Sequence, residues 1–345
     1  MKKTPKTLKK QTTKHPERIL ITGGAGFIGH HIVEYILDKT DWDIVILDRL
    51  DVSGTLNRLS DLPNWEEKKK RVKFVYHDFR APLNEYVKVR LGDVNYILHL
   101  AASTHVDRSI EDPMLFVEDN VVGTTNMLQY ARTLPHLKSF INFSTDEVFG
   151  PAPKGVQHKE DAPYLPSNPY SASKAGAASM GYAYFVTYGV PVITTYTMNN
   201  FGERQHPEKL IPRTIRSVIK GEAMPIFAEL KNGKLVGVGS RFWLHAKNTA
   251  SAVVFLLKKG VPGESYNVIG FDELTNLEIA QKVAGYVGKP LKYKLVDFHK
   301  TRPGHDRRYA LDGSKLKKLG WKPPRTFEES LKETVEFALK HPEWI

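Results

Sequence analysis

An α/β protein built on a doubly wound parallel sheet, with a smaller C-terminal lobe, is the fold this sequence predicts, on three observations. Short apolar runs alternate with helix-length amphipathic stretches from Glu17 to about Asn200. A glycine-rich turn, Gly23-Gly24-Ala25-Gly26-Phe27-Ile28-Gly29, joins the first run to the first helix. Beyond residue 200 the alternation loses its regularity, broken by Pro207, Pro212, Pro225, Gly233, Gly237 and Gly239. The expected organisation is a basic tail over residues 1–16, a sheet domain over 17–200 and a lobe over 201–345. Segments around 236–270 are expected to return to the sheet domain.

Bulk composition narrows the class. A chain of 345 residues with 41% hydrophobic and 10% aromatic content can bury a large core. The longest apolar runs, such as Val253–Leu257, are far too short to span a bilayer. The absence of cysteine and of a charged-then-apolar leader sets a cytoplasmic expectation. The formal charge of +12 is uneven: Lys2, Lys3, Lys6, Lys9, Lys10 and Lys14 lie in the first sixteen residues, with no acid among them. That polar stretch is expected to be disordered and accounts for half of the excess. The rest is spread along the chain without aromatic-interleaved basic runs, so nucleic acid is not the expected partner, whereas an anionic small substrate suits the bias.

The elements follow in order. Glu17–Thr22 reads as a strand, and the helix after it shows its apolar face over His31–Leu37. Between them, Gly23, Gly26 and Gly29 give a G-x-x-G-x-x-G spacing. The first permits a tight turn, the second lets backbone approach a pyrophosphate, and the third allows close packing of helix on strand. The helix N-terminus then presents free N–H groups, including those around Phe27 and Ile28, to phosphate. Asp43–Asp48 is a second strand ending in an acid, and Asp48 lies 19 residues past Gly29, where a carboxylate meets the adenosine ribose. A carboxylate there repels a 2′-phosphate and favours NAD over NADP, while neighbouring Arg49 pulls the other way. These features predict an NAD-binding Rossmann domain for the sheet.

Val72–Asp78 reads as a third strand, ending in Asp78, a candidate for the adenine edge. Asn95–Ala102 is a fourth, whose small Ala101-Ala102 end leaves room for a cofactor. A helix over Pro113–Thr133 carries Asn120. Phe140–Phe143 is a buried strand running into Ser144-Thr145-Asp146-Glu147-Val148-Phe149-Gly150, which puts a hydroxyl and two adjacent acids at the ligand-binding edge of the sheet. From Pro169 the pattern is helical, with Tyr170 and Lys174 on one face and many small residues. Pro191–Thr197 is a sixth strand, entering Met198-Asn199-Asn200.

Together, Thr22–Gly29, Tyr170-x-x-x-Lys174 and Asn199-Asn200 resemble the extended short-chain dehydrogenase/reductases. Within them, Ser144–Gly150, Ser103–Ser109, His206–Pro212 and Arg302–Tyr309 resemble the nucleoside-diphosphate-glucose 4,6-dehydratases acting on dTDP-glucose or UDP-glucose. The resemblance runs from about Arg18 to about Pro324. It implies a cytoplasmic homodimeric hydro-lyase with recycled NAD, in which Tyr170 is the base at O4, helped by Lys174, and Thr145 orients O4. Glu147 then takes the C5 proton, and protonated Asp146 gives its proton to the departing C6 hydroxyl. It implies Ser144 and Asn120 as polar groups near the cofactor. His105, Asn199, Asn200, Lys209, Arg241, Arg302 and His305 fall on the substrate side, and no metal is implied. The dimer would pack helices near Asn120–Thr133 and Pro169–Tyr188. Departures are Arg241-Phe242-Trp243 in place of Arg-Asp-Trp, the long segment 228–237, and Tyr196 and Met198 near the expected base pocket. A 4-epimerase or decarboxylase using only Tyr170 and NAD, or a non-catalytic NAD-binding sensor, are the alternatives.

Overall fold

The structure, a computed structural model, describes residues 16–51, 53–270, 272–297 and 308–345. Seven parallel strands form the central sheet: β1 (Arg18–Thr22), β2 (Asp43–Asp48), β3 (Val72–Tyr76), β4 (Tyr96–His99), β5 (Ser139–Thr145), β6 (Val192–Thr197) and β7 (Ser265–Val268). Their spatial order is β7-β6-β5-β4-β1-β2-β3, so the winding reverses between β1 and β4. A crevice opens outside the strand ends at such a reversal.

Period-two alternation explains how both faces are covered. On β1, Ile19 and Ile21 face one layer and Leu20 the other. The first layer is α1 (Phe27–Lys39) with α6 (Ala246–Lys259), whose Ile32, Ile36, Val253 and Leu257 pack on Ile44, Ile46, Ile141 and Ile193. The second contains α2 (Glu85–Leu91), α3 (113–131) and α4 (Pro169–Tyr188), with Val87, Met127, Leu128 and Tyr184 against Val45, Leu47, Ile97 and Phe140. Helix α3 is composite: Pro113–Val117, a π turn over Glu118–Val122, then Gly123–Ala131. The widened turn buries the consecutive residues Asp119 and Asn120.

The lobe holds α5 (Leu210–Lys220), α7 (Asn276–Val287) and α8 (Phe327–Lys340), gathered around Phe201, Ile215, Ile279 and Leu331. A small sheet joins Met224–Lys231 to Tyr293–Asp297 in parallel and to Lys234–Val238 as a hairpin, so the long segment 228–237 is largely strand. Among the described residues no helix is long and apolar enough to cross a membrane.

Several boundaries differ from the sequence expectation. The helix after the glycine turn begins at Phe27 and reaches Lys39, because its ends carry too little apolar periodicity to be read. The strand expected over Val72–Asp78 stops at Tyr76 and that over Asn95–Ala102 stops at His99, which puts Asp78, Ala101 and Ala102 in strand-end loops.

Candidate active site

A cleft of about 500 Å³ runs along the C-terminal ends of β1, β2, β4, β5 and β6 and is bounded on its far side by the lobe. Its cofactor-facing end is built by the glycine turn. Gly23 has φ +72, and its N–H donates to Leu47 O at 3.0 Å, tying the turn to β2. A Cβ on Gly29 would lie 2.1 Å from Gly23 O, so this glycine lets α1 start directly against the strand. Gly26 caps α1 without a side-chain bond, leaving the N–H groups of the first turn for a ligand. Gly23, Gly26, Phe27, Ile28, Gly29, Ala101 and Ala102 all line the cleft.

Asp48 also lines it, buried, and accepts backbone N–H groups from Ala25 at 3.1 Å and Leu50 at 2.9 Å. Burial raises its pKa. Asp78 does not line the cleft, because its carboxylate is taken up by the backbone N–H and guanidinium of Arg80. Asn120 lies behind the wall: its Oδ1 accepts Ser103 N–H at 2.8 Å, and its Nδ2 donates to Ser103 O and Ser173 Oγ. It clamps the loop after β4 onto α4, a positioning role rather than a contact.

At the reacting end, β5 delivers Ser144, Thr145, Asp146 and Glu147 through a one-turn 3-10 helix over Asp146–Phe149. Thr145 Oγ1 donates to Asp146 Oδ1 at 2.9 Å and accepts the N–H of Glu147 at 3.4 Å. Asp146 is fully enclosed, and burial, with the adjacent Glu147 charge, raises its pKa to about 7. Glu147 is less buried and accepts the hydroxyl of Tyr309 at 3.2 Å. Two neighbouring acids thus have different environments, one suited to holding a proton and one to taking it.

Helix α4 begins with a reciprocal cap between Asn168 and Ser171, which fixes where Tyr170 and Lys174 enter the cleft wall. Tyr170 is buried against Phe116 and Val106. Burial raises its pKa, the Glu147 charge adds to this, and a hydrogen bond with Thr145 opposes it. Lys174, expected to help Tyr170 together with the nicotinamide charge, does not bond the phenol in the polypeptide by itself. Its Nζ donates to Phe143 O at 2.6 Å instead, and burial lowers its pKa to about 8. Helical spacing puts the two residues on one face without fixing where the ammonium points.

Of the substrate-side residues, His105, Asn199, Asn200, Lys209 and Arg241 all line the cleft. Asn199 is exposed in it, whereas Asn200 is braced by Thr249 at 2.5 Å and by Met198 O at 2.9 Å. The guanidinium of Arg241 stacks 4.5 Å above the ring of Tyr309. Met198 lines the cleft too, but Tyr196 is buried behind it, bonded to Tyr164 and packed on Phe149. Arg302 and His305 lie outside the described residues. Three buried cleft-wall oxygens, Ser144 Oγ, Asp146 Oδ2 and Thr197 Oγ1, have no hydrogen-bond partner among the described residues, as expected of a wall made to meet a polar ligand.

Sequence reading missed Asp119, the pair Thr22–His99 and the role of Tyr309, which it placed only at the end of the Arg302–Tyr309 segment without its contact to Glu147. The pair links Thr22 Oγ1 to His99 Nδ1 at 2.9 Å and supports Ala101 N–H at 3.1 Å. None carries a local signal, since each is defined by partners 70 or more residues away, as in the 162-residue separation of Tyr309 from Glu147.

The family model described as GDP-mannose 4,6 dehydratase matches residues 20–334. The low-salt glycan biosynthesis protein Agl12 of Haloferax volcanii is 40% identical over 324 residues, spanning 93% of this chain and 98% of its own. dTDP-glucose 4,6-dehydratase 1 of Escherichia coli is 37% identical over 352 residues, spanning 95% and 94%. A crystal structure of the Streptomyces venezuelae dTDP-glucose 4,6-dehydratase DesIV, a double mutant with NAD bound, superposes with a TM-score of 0.85 at 34% identity, covering 95% of this chain and 98% of that one. The UDP-glucose 4-epimerase of Thermus thermophilus in complex with NAD gives 0.79 at 28% identity, covering 93% and 98%. With the glycine turn, the Thr145-Asp146-Glu147 corner and the Tyr170/Lys174 helix all meeting at one cleft, this chain belongs to the GDP-mannose 4,6-dehydratase family, a dehydratase branch of the extended short-chain dehydrogenase/reductases.

Proposed function

We propose that this protein is an NAD-dependent hydro-lyase that converts a nucleoside-diphosphate hexose, dTDP-glucose or UDP-glucose, to its 4-keto-6-deoxy derivative. The observation that carries the reading is the enclosed, proton-holding Asp146 beside the more open Glu147, at the strand end that faces Tyr170. A 4-epimerisation needs no such acid–base pair. Gly23, Gly26, Phe27, Ile28 and Gly29 would hold the dinucleotide pyrophosphate, Asp48 the ribose, and Ala101, Ala102 and Ser144 would border the nicotinamide half. Bound NAD would supply the hydride acceptor for C4 of the hexose and the hydride donor for C6.

The proton steps belong to the chain. Tyr170 takes the O4 proton, with Thr145 orienting that oxygen, and the positive charge of a bound nicotinamide would lower the phenol pKa. The 4-keto group acidifies C5, and Glu147, held by Tyr309, removes that proton. Asp146 protonates the leaving C6 hydroxyl, and Glu147 returns a proton to C5. His105, Asn199, Asn200, Lys209 and Arg241, joined by Arg302 and His305, bind the sugar and diphosphate. Incubation with dTDP-glucose and with UDP-glucose, read by mass spectrometry, is expected to give a product lighter by one water from one of them, and Glu147→Gln is expected to lose it. An isobaric product would establish epimerisation instead, and an unimpaired Glu147→Gln variant would remove Glu147 from its role.

The active form is a homodimer joined through α3 and α4. Met114, Val117, Val122, Tyr182 and Val186 are exposed apolar side chains on these helices, and Gly176 brings them close, since a Cβ there would lie 3.2 Å from Val121. Light scattering should report twice the chain mass, and Val186→Asp should halve it.

A further inference from the structure

The end of β2 carries an acid and a base in succession. Asp48 suits a ribose diol, and Arg49 suits a phosphate on that ribose. Both line the cleft. Their availability differs. Arg49 Nε and Nη2 donate to Asp51 Oδ2 at 2.9 and 2.6 Å, and Nη1 and Nη2 donate to Asp119 Oδ1 and Oδ2 at 2.6 and 2.8 Å. These bonds take four of the five guanidinium N–H groups, and Nη1 also lies 3.5 Å from Asp78 Oδ1. Asp119 is 1% exposed and is itself held by Ser103 Oγ at 2.5 Å. Its inward position depends on the π turn of α3, which buries it beside Asn120.

We propose that Asp119, together with Asp51, sequesters Arg49 from any 2′-phosphate and so makes Asp119 a residue that determines the choice of NAD over NADP. The inference rests on the reading of the cleft as a dinucleotide site. Around the ribose end, four carboxylates (Asp48, Asp51 and Asp119 in the cleft wall, and Asp78 behind it) meet three guanidiniums (Arg49 and Arg58 in the wall, and Arg80 behind it), and Arg58 is tied to Ala25 O and Ser53 O through Nη1. A phosphate arriving there meets excess negative charge and an arginine whose donors are committed. Pulling Arg49 away would strand the buried Asp119 carboxylate, which is costly. A free 2′-hydroxyl needs only an acceptor, and the Asp48 oxygens, each with one backbone N–H bound, retain lone pairs for it.

The test is calorimetric titration of the full-length chain, freed of dinucleotide, with NAD and with NADP. Wild type should bind NAD more tightly. Asp119→Ala should strengthen NADP binding by at least about tenfold, the worth of one charge-assisted hydrogen bond, while leaving NAD binding nearly unchanged. The double variant Asp119→Ala/Arg49→Ala should lose that gain. An unmoved NADP-to-NAD ratio in Asp119→Ala, or a gain that persists without Arg49, overturns the proposal. If Asp119→Ala fails to fold by circular dichroism, Asp51→Ala tests the same point from the half-exposed side of the cage, and the ratio must shift in the same direction. Wild type binding neither dinucleotide would overturn the cofactor reading itself, a result distinct from an unmoved ratio.

Discussion

Asp146 shows at the scale of one side chain how a site can trade stability for chemistry. Its folded-state pKa of about 7 stands above the ordinary value of 3.8, so folding favours the protonated form. The stability this contributes is complete below the unfolded pKa and is lost as pH rises through the folded one. Near pH 8, about one unit above the folded value, wild type therefore buries a charge that an amide would not carry. Asp146→Asn is expected to melt higher than wild type at about pH 8 and to match it at about pH 4, a difference of up to a few kcal/mol. The same substitution removes the proton donor, so turnover should fall by roughly 10²–10⁴-fold. Equal melting temperatures at both pH values would show that Asp146 is not a buried charge. In wild type, the acid role predicts that turnover declines as pH rises through about 7.

At the scale of elements, the π turn in α3 governs more of the site than its length suggests. It turns Asp119 toward Arg49 and Asn120 toward Ser103, joining the ribose end of the cleft to the loop after β4. Asn120→Ala should cost about 1–3 kcal/mol of stability in urea unfolding, because Ser103 N–H and O and Ser173 Oγ lose a partner together. A change within error would reduce the clamp to an incidental contact. This is also where sequence reading reached its limit. The glycine turn, the strand ends and the Thr145–Glu147 corner were legible because each is a local pattern with a local physical cause. Asn120 falls in the helix the sequence predicts, but its bonds to Ser103 and Ser173 are not legible there, since a helical period cannot reveal a widened turn. Asp78 was read at a strand tip, but it binds Arg80 two residues on. Tyr309 lay at the end of the Arg302–Tyr309 segment, but its contact with Glu147 follows only from how that segment folds back over β5.

For the whole molecule, division at residue 200 describes function better than folding. Strand β7 pairs with β6 from Ser265 to Val268, and α6 packs on α1, although both follow much of the lobe in sequence. A chain ending at Asn200 would expose Ile32, Ile36 and Ile193 where α6 covers them, and would leave β6 as an unpaired edge. It should fail to fold, giving poor amide dispersion in NMR and no cooperative melt, and a stable native-like fragment would refute the argument. The expected return of segments around 236–270 to the sheet domain did not single out which one pairs: β7 has only four residues and sits among irregular segments, so its place beside β6 is set by tertiary pairing.

That late strand has a bearing on how the protein comes to exist. The first six strands leave the ribosome well before the helix and strand that cover and close their sheet. Native packing of α1 waits for residues more than 200 positions downstream, so early chain cannot settle into its final layers while synthesis continues. The nascent half must therefore spend that interval with one apolar face uncovered, and it is then, before any cleft exists, that this polypeptide most needs protection from aggregation.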